Sequence, residues 1–372
     1  MRFAAWVLAA SELCFAGAAF AAQTGSPAPT FAALSQQAQA ARDGHQLEKA
    51  VDLYRKALKL KPNWEDGLWS LGSIEYDLNR YKDCVWAFDK LSDVKPDGAP
   101  VWTMAGLCEF KLRNYGSALD DFTQVEKLGF SENTELARAA RLHYALMLTK
   151  GGNFEKAIAV LTDLTRADKK TPEIIAAAGI AGLRRPWVPA EVPQSDQELI
   201  YRLGDAMAAA MERDYKTANQ KFEELLQTYP ADPNIHFRYG ALLYIQDEDR
   251  GIAEIKKAVE LAPDHIPALV SLSAISLKRE DPKAAVEYGE RAVKASPGDF
   301  ATHIVLGRAL LVSGDAASAV AELQQAIKLA PNDPEAHFSL ATAYSRLGKK
   351  EDAAREQNEF KRLEHLGGKQ VP

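Results

Sequence analysis

Nearly every signature of an enzyme or a nucleic-acid binder is missing from this sequence. There is no HExxH, no glycine-rich phosphate loop, no GxSxG and no CxxC. Zinc hydrolysis, nucleotide cradling, nucleophile-elbow chemistry and dithiol exchange therefore have no motif to start from. Basic residues do not predominate: 45 Lys and Arg stand against 51 Asp and Glu, a formal net charge of −6. A mildly acidic chain with its signs interspersed lacks the positive face that nucleic acid requires. Beyond the first 22 residues no uncharged apolar run approaches the ~18 residues of a membrane-spanning helix, so no span is expected in the mature chain. Runs of Val, Ile and Thr are few, which argues against sheet. Cysteine is scarce, with only Cys14, Cys84 and Cys108.

What is present favours helix. Ala, Leu, Glu, Lys and Gln are plentiful, and these lose little side-chain freedom in a helix. The 372 residues are 47% apolar and 26% charged, so the chain has enough apolar surface to fold and is not disordered. That length exceeds one ordinary compact core and suits two domains or one extended array.

The first 22 residues differ from the rest. Arg2 gives a positive start, an apolar stretch runs from Phe3 to Phe20, and Ala19-Phe20-Ala21 offers a small-x-small cleavage pattern. They read as a signal peptide cut near Ala21, which places the mature chain in the periplasm or outside the cell. Ser11-Glu12-Leu13 precedes Cys14 with a charge where a lipid-attachment motif wants a small residue. A lipid anchor is therefore discounted.

Prolines mark a period. Pro62 and Pro96 are 34 apart, and Pro230, Pro263, Pro297 and Pro331 follow at gaps of 33, 34 and 34. Each closes a helical run such as KALKLKP (56–62) or QAIKLAP (325–331). Between them a motif recurs: a large residue, Leu-Gly after two more, then Ala, an aromatic and the Pro. Residues 65–98 supply Leu68, Leu71-Gly72, Cys84, Phe88 and Pro96; residues 300–333 supply His303, Leu306-Gly307, Ala319, Leu323 and Pro331. The same pattern, more or less worn, covers 31–64, 99–132, 138–171, 199–231, 232–265, 266–299 and 334–363. Its spacing puts Leu340, Ala341 and Tyr344 on one helix face with His337. Nine units in phase resemble the tetratricopeptide repeat family, in an exported form. The resemblance implies an all-α fold, a right-handed superhelical solenoid of about nine helix–turn–helix units, in which each unit is stable only against its neighbours.

Residues 172–198 break the period. Pro172 opens a helix over EIIAAAGIAGLR, and Pro186, Pro189 and Pro193 then exclude one. They read as a half-repeat and proline-rich joint. On this reading a four-repeat array spans 31–171, a five-repeat array spans 199–363, and 364–372 is a tail. Whether the two arrays form one superhelix stays open.

The same alignment places candidate residues. His236, His303 and His337 occupy the same place in their repeats, and equivalent places in successive repeats lie about 10 Å apart by helix packing. Metal bonds near 2 Å cannot span that, so these rings fill the large-residue slot; no metal and no cofactor is expected. Cys84 and Cys108 read most simply as small buried hydrophobes; a disulfide between adjacent repeats is the alternative. In the proteins that this one resembles, the first helices line a concave groove that holds peptides. Here that face would carry Trp69, Tyr76, Leu107, Phe110 and Leu146, then Met207, Phe237, Tyr244, Ile304, Leu311 and Phe338. The Lys-and-Asn pattern by which some relatives clamp a terminal carboxylate is missing. The expected function is thus a non-catalytic scaffold or adaptor of the cell envelope or secreted space. It would bind an apolar or amphipathic segment of another protein in the groove. An envelope polysaccharide binder and an accessory subunit of an enzyme complex are the alternatives, and a homo-oligomer stays open.

Overall fold

The computed structural model describes residues 29–130, 134–167 and 170–368. The signal segment read at 1–22, with Cys14, lies outside them. Among the described residues there are nineteen α-helices and no strand. Four hairpins come first: α1 and α2 (Phe31–Asp43, Leu47–Leu60), α3 and α4 (Glu65–Asp77, Tyr81–Val94), α5 and α6 (Ala99–Lys111, Tyr115–Leu128), α7 and α8 (Glu135–Lys150, Phe154–Ala167). A single helix, α9 (Pro172–Gly182), follows. Five hairpins complete the chain: α10 and α11 (Gln197–Met211, Tyr215–Thr228), α12 and α13 (Pro233–Tyr244, Glu248–Leu261), α14 and α15 (Ile266–Lys278, Pro282–Ala295), α16 and α17 (Phe300–Ser313, Ala316–Leu329), α18 and α19 (Pro334–Arg346, Lys350–Gly368). Each helix packs on the next in sequence, and first helices also touch the first helices of neighbouring units. This is the stacked α-solenoid that the repeat pattern implies.

The periodic prolines act as stops. All six stand two residues beyond a second helix, from Leu60 before Pro62 to Leu329 before Pro331. The turn inside eight of the nine hairpins is marked by left-handed backbone. Gly152, Gly314 and Gly348 supply it at no steric cost, but His45, Asn79, Arg113, Arg213 and Glu280 also take φ between 53° and 63°. The hairpin joining α12 to α13, whose turn is 245–247, has none.

Packing within a hairpin follows from the small motif residues. Ala50, Cys84, Ala118, Ala157, Ala218, Ala285 and Ala319 are fully buried, and the aromatic position holds Phe88, Phe122 and Phe222 at 0–1% exposure. A Cβ on Gly72 would stand 2.6 Å from the Phe88 ring, so only glycine lets α3 settle on α4.

The large-residue slot proves to be chosen for an N–H as well as for size. His236, His303 and His337 each donate from Nε2 to the carbonyl of the proline six residues earlier, Pro230, Pro297 and Pro331, at 2.9–3.0 Å. Each ring's Nδ1 faces a second-helix carboxylate, Glu254, Glu322 or Glu356, at 2.6–2.8 Å. Trp102 does the first half of this, donating from Nε1 to the Pro96 carbonyl at 2.8 Å. The ring N–H thus satisfies a carbonyl that the end of the preceding helix leaves without an intrahelical donor.

At the joint, the Thr171 hydroxyl caps α9 and Pro172 occupies its first turn. The helix ends at left-handed Arg184. One hydrophobic core runs from α5 to α12 through α9. The contact of α9 with α10 is made backbone to backbone at two glycines: a Cβ on Gly179 would lie 1.9 Å from the Ile200 carbonyl oxygen, and one on Gly204 1.9 Å from that of Ile175. A bidentate pair closes the joint, Arg238 of α12 to Glu155 of α8 at 2.8 and 2.9 Å, with Arg184 on the same carboxylate at 2.8 Å. Beside it, burial and the two guanidinium groups push His265 down to about 4, leaving it neutral at physiological pH.

One half-buried acid makes stability depend on pH. Burial, with Asp89, Glu109 and Asp120 nearby, pushes Asp121 up to about 8. In the unfolded chain it ionises near its ordinary value of 3.8. Between these values the folded chain holds a proton that the unfolded chain releases, so stability falls as pH rises from about 4 to about 8. Asp121→Asn is expected to flatten that fall and to gain about 1–2 kcal/mol at pH 8. Urea midpoints of both proteins at pH 5 and pH 8 check it; an equal pH dependence in the two would refute the assignment.

Candidate functional site

The first-helix face is open at the N-terminal repeats. Between α1 and α3 lies a pocket of ≈ 320 Å³ walled by Gln39, Arg42, Trp64, Asp66, Trp69 and Ser70. Between α3 and α5 lies another, of ≈ 210 Å³, walled by Glu65, Asp66, Trp69, Lys95 and Pro100. Trp69 and Asp66 belong to both, so the two pockets adjoin along α3. Trp69 is half-buried and stands edge-on to Phe88, ring centres 5.4 Å apart, which fixes the indole while leaving one side free. Arg42 donates to the Ser70 hydroxyl at 3.2 Å, and Lys95 approaches Glu65 at 3.9 Å. The rim therefore carries both signs of charge around an aromatic floor, a lining suited to an amphipathic segment.

The other residues expected in the groove divide into two sets. Tyr76, Phe110 and Tyr244 are half-buried, and Phe338 is 49% exposed. Leu107, Leu146, Met207, Phe237, Ile304 and Leu311 are 5–7% exposed and offer a partner almost nothing. The physical reason is the stacking. The first helix of each unit lies against the first helix of the next, α5 on α7, α7 on α9, α14 on α16 and α16 on α18. Side chains expected on the open face thus enter the seam between units. Even the open set is partly engaged: Phe110 packs on His143 at 4.8 Å, Lys278 donates to the Tyr244 hydroxyl at 3.1 Å, and Phe338 meets Phe360 at 5.3 Å. Of the eleven, Trp69 lines the two adjoining pockets along α3, and Met207 lines a separate one at the joint.

Two further features escaped the sequence reading. A cleft of ≈ 510 Å³ lies on the second-helix side, between α2 and α4, lined by Leu58, Lys59, Leu68, Trp86 and Lys90. Trp86 is 50% exposed. Its place between Cys84 and Phe88, off their buried stripe, is the signal that would have found it. Below it Arg55 bonds fully buried Glu75 at 2.8 Å and Asp83 at 3.0 Å. Burial raises Glu75 above the usual carboxylate range against the pull of Arg55. The second feature is a pocket at the joint, between α8, α10 and α12.

Cys84 and Cys108 are bonded. Both are fully buried, and the disulfide joins α4 to α5 with Cα atoms 6.1 Å apart. The simpler expectation of two small buried hydrophobes gives burial correctly and omits the bond. Among the described residues no group of three or more His, Cys, Asp or Glu is placed to hold a metal ion. No helix among them is long and apolar enough to cross a membrane.

Sequence models of one family, each described as Tetratricopeptide repeat, match residues 103–172, 198–232, 276–337 and 322–355. No curated protein matches the chain. Similar solved structures include MamA 41-end from Desulfovibrio magneticus RS-1, 22% identical over 44% of this chain and 93% of that one, with a TM-score of 0.41. MamA AMB-1 is 22% identical over 44% of this chain and 98% of its own, with a TM-score of 0.40. Nothing about partners follows from likenesses of that size.

Proposed function

We propose, on the premise that this chain belongs to the tetratricopeptide repeat family, that it is a non-catalytic scaffold holding an amphipathic segment of another protein against α1, α3 and α5. Binding other proteins is the activity that goes with such repeats. The observation that carries the placement is Trp69, half-buried, rigidly backed by Phe88, and shared by two adjoining pockets. Aromatic anchors of this kind dominate binding energy because they bury large area at little entropic cost. We assign the protein to the periplasm or the secreted space from the leader-like residues 1–22, and the Cys84–Cys108 bridge fits an oxidising compartment.

A second reading has its own support. Gln39, Arg42, Asp66 and Ser70 beside an indole suit a sugar ring as well as a peptide. A pull-down from envelope extract, run beside sedimentation with envelope polysaccharide, separates the two. Trp69→Ala is expected to reduce recovered protein partners roughly tenfold with helical circular dichroism unchanged. Undiminished recovery sinks the groove assignment, and retention by polysaccharide alone supports the second reading.

A further inference from the structure

The joint between the two sets of hairpins carries charge that the protein does not neutralise. Where α8, α10 and α12 meet there is a pocket of ≈ 240 Å³. Arg166, Arg213 and Arg238 line it, and no carboxylate does. Arg166 and Arg213 are exposed and form no ion pair among the described residues. Arg238 is 9% exposed; its two terminal nitrogens are taken by Glu155, but its Nε is buried without an acceptor. Buried N–H groups are rarely left so, and this one keeps part of the Arg238 charge unscreened beneath the pocket.

Three acids of the flanking elements among the described residues are already in use. Glu155 holds Arg184 and Arg238, Glu212 faces Lys170 at 3.7 Å, and Asp214 accepts from the Thr217 amide to cap α11. Apolar surface completes the pocket, Ile158 and Ala241 in its wall and Ile245 at 71% exposure. A small inorganic anion would leave that aliphatic surface wet. A chain terminus would bring one carboxylate to two unpaired guanidinium groups. A stretch of acidic side chains with an aliphatic one among them answers both.

We propose that this pocket takes an acidic segment of the partner protein, its carboxylates meeting Arg166 and Arg213 above buried Arg238 while an aliphatic side chain covers Ile245. The proposal rests on the scaffold reading and adds a second contact, on elements other than those that hold Trp69.

Fluorescence anisotropy of the full chain tests it. The probe is a fluorescein-labelled, C-terminally amidated peptide built from Glu, Asp and Leu. The wild type is expected to bind it with an affinity that falls steeply with salt. Arg166→Glu with Arg213→Glu, both at exposed positions, is expected to weaken binding roughly tenfold or more. Ile245→Ser is expected to weaken it several-fold, and Trp69→Ala to leave it unchanged. Absence of binding to the wild type, or indifference to the double charge reversal, overturns the proposal. So does equal binding of a Gln- and Asn-substituted peptide with a free terminus, or of an acidic peptide lacking Leu. Loss of the peptide in Trp69→Ala would place the acidic segment in the first-helix groove; this assignment would then fail while the scaffold reading stood.

Discussion

Gly179→Ala and Gly204→Ala are each expected to destabilise the protein by about 3 kcal/mol or more. Glycine inside a helix ordinarily behaves the other way, because alanine gains ~1 kcal/mol from its smaller loss of backbone freedom. The reversal here has a geometric cause. Each new methyl would stand 1.9 Å from a carbonyl oxygen of the facing helix, Ile200 for Gly179 and Ile175 for Gly204. A backbone carbonyl cannot rotate out of the way as a side chain can. Relief requires α9 and α10 to move apart, and that opens the core connecting α5 to α12. Gly116 of α6 is the control: a Cβ there meets nothing within 4 Å, so Gly116→Ala is expected to gain about 0.5–1 kcal/mol. Guanidinium midpoints followed by circular dichroism measure all three. If Gly179→Ala and Gly116→Ala move the midpoint in the same direction, the close crossing does not exist. The double substitution should cost less than the sum, since one separation of the helices relieves both clashes.

That crossing shows where sequence reasoning stops. Helix boundaries were legible because Pro62, Pro96 and their periodic equivalents each stand two residues past a helix end. Burial along each hairpin was legible because Ala118 with Phe122, or Ala319 with Leu323, follows one helix face. The glycines of α9 were visible in GIAG, but a glycine in a helix is only a weak negative until a facing backbone is known. The same limit applies to the site. Periodicity says which residues of a helix share a face; it does not say how closely the next repeat covers that face. Trp69 stayed open because the last turns of α1, with Gln39 and Arg42, and the first turn of α5, with Pro100, flank it, whereas Leu107, Ile304 and Leu311 entered seams between stacked units. His303 was placed correctly as a slot-filler. Its bond to the Pro297 carbonyl could have been anticipated from Trp102, the one other N–H-bearing ring seen there, six residues beyond Pro96.

Loss of the Cys84–Cys108 bridge is expected to cost about 3.5 kcal/mol by the loop-entropy relation for a separation of 24 residues. The bond acts mainly on the unfolded chain, which it deprives of the conformations in which these residues lie far apart. In the folded chain both sulfurs are fully buried among apolar neighbours such as Leu71, Ala87 and Val101, and a reduced pair would still pack as two small hydrophobes. The double substitution Cys84→Ala with Cys108→Ala should therefore match the effect of reductant. Cys84→Ser alone should be worse than either, because it buries a hydroxyl and leaves a thiol unpaired. Because stability in a stacked array is a sum of local terms, the loss should fall on the hairpins α3–α4 and α5–α6 and spread weakly beyond them. Those hairpins hold Trp69, so reduction should also weaken partner capture, and hydrogen exchange should quicken from α3 to α6 before it does in α16 to α19. Identical denaturation midpoints with and without reductant would contradict the bridge, as would thiol titration of the unfolded, unreduced protein that counts both Cys84 and Cys108 as free.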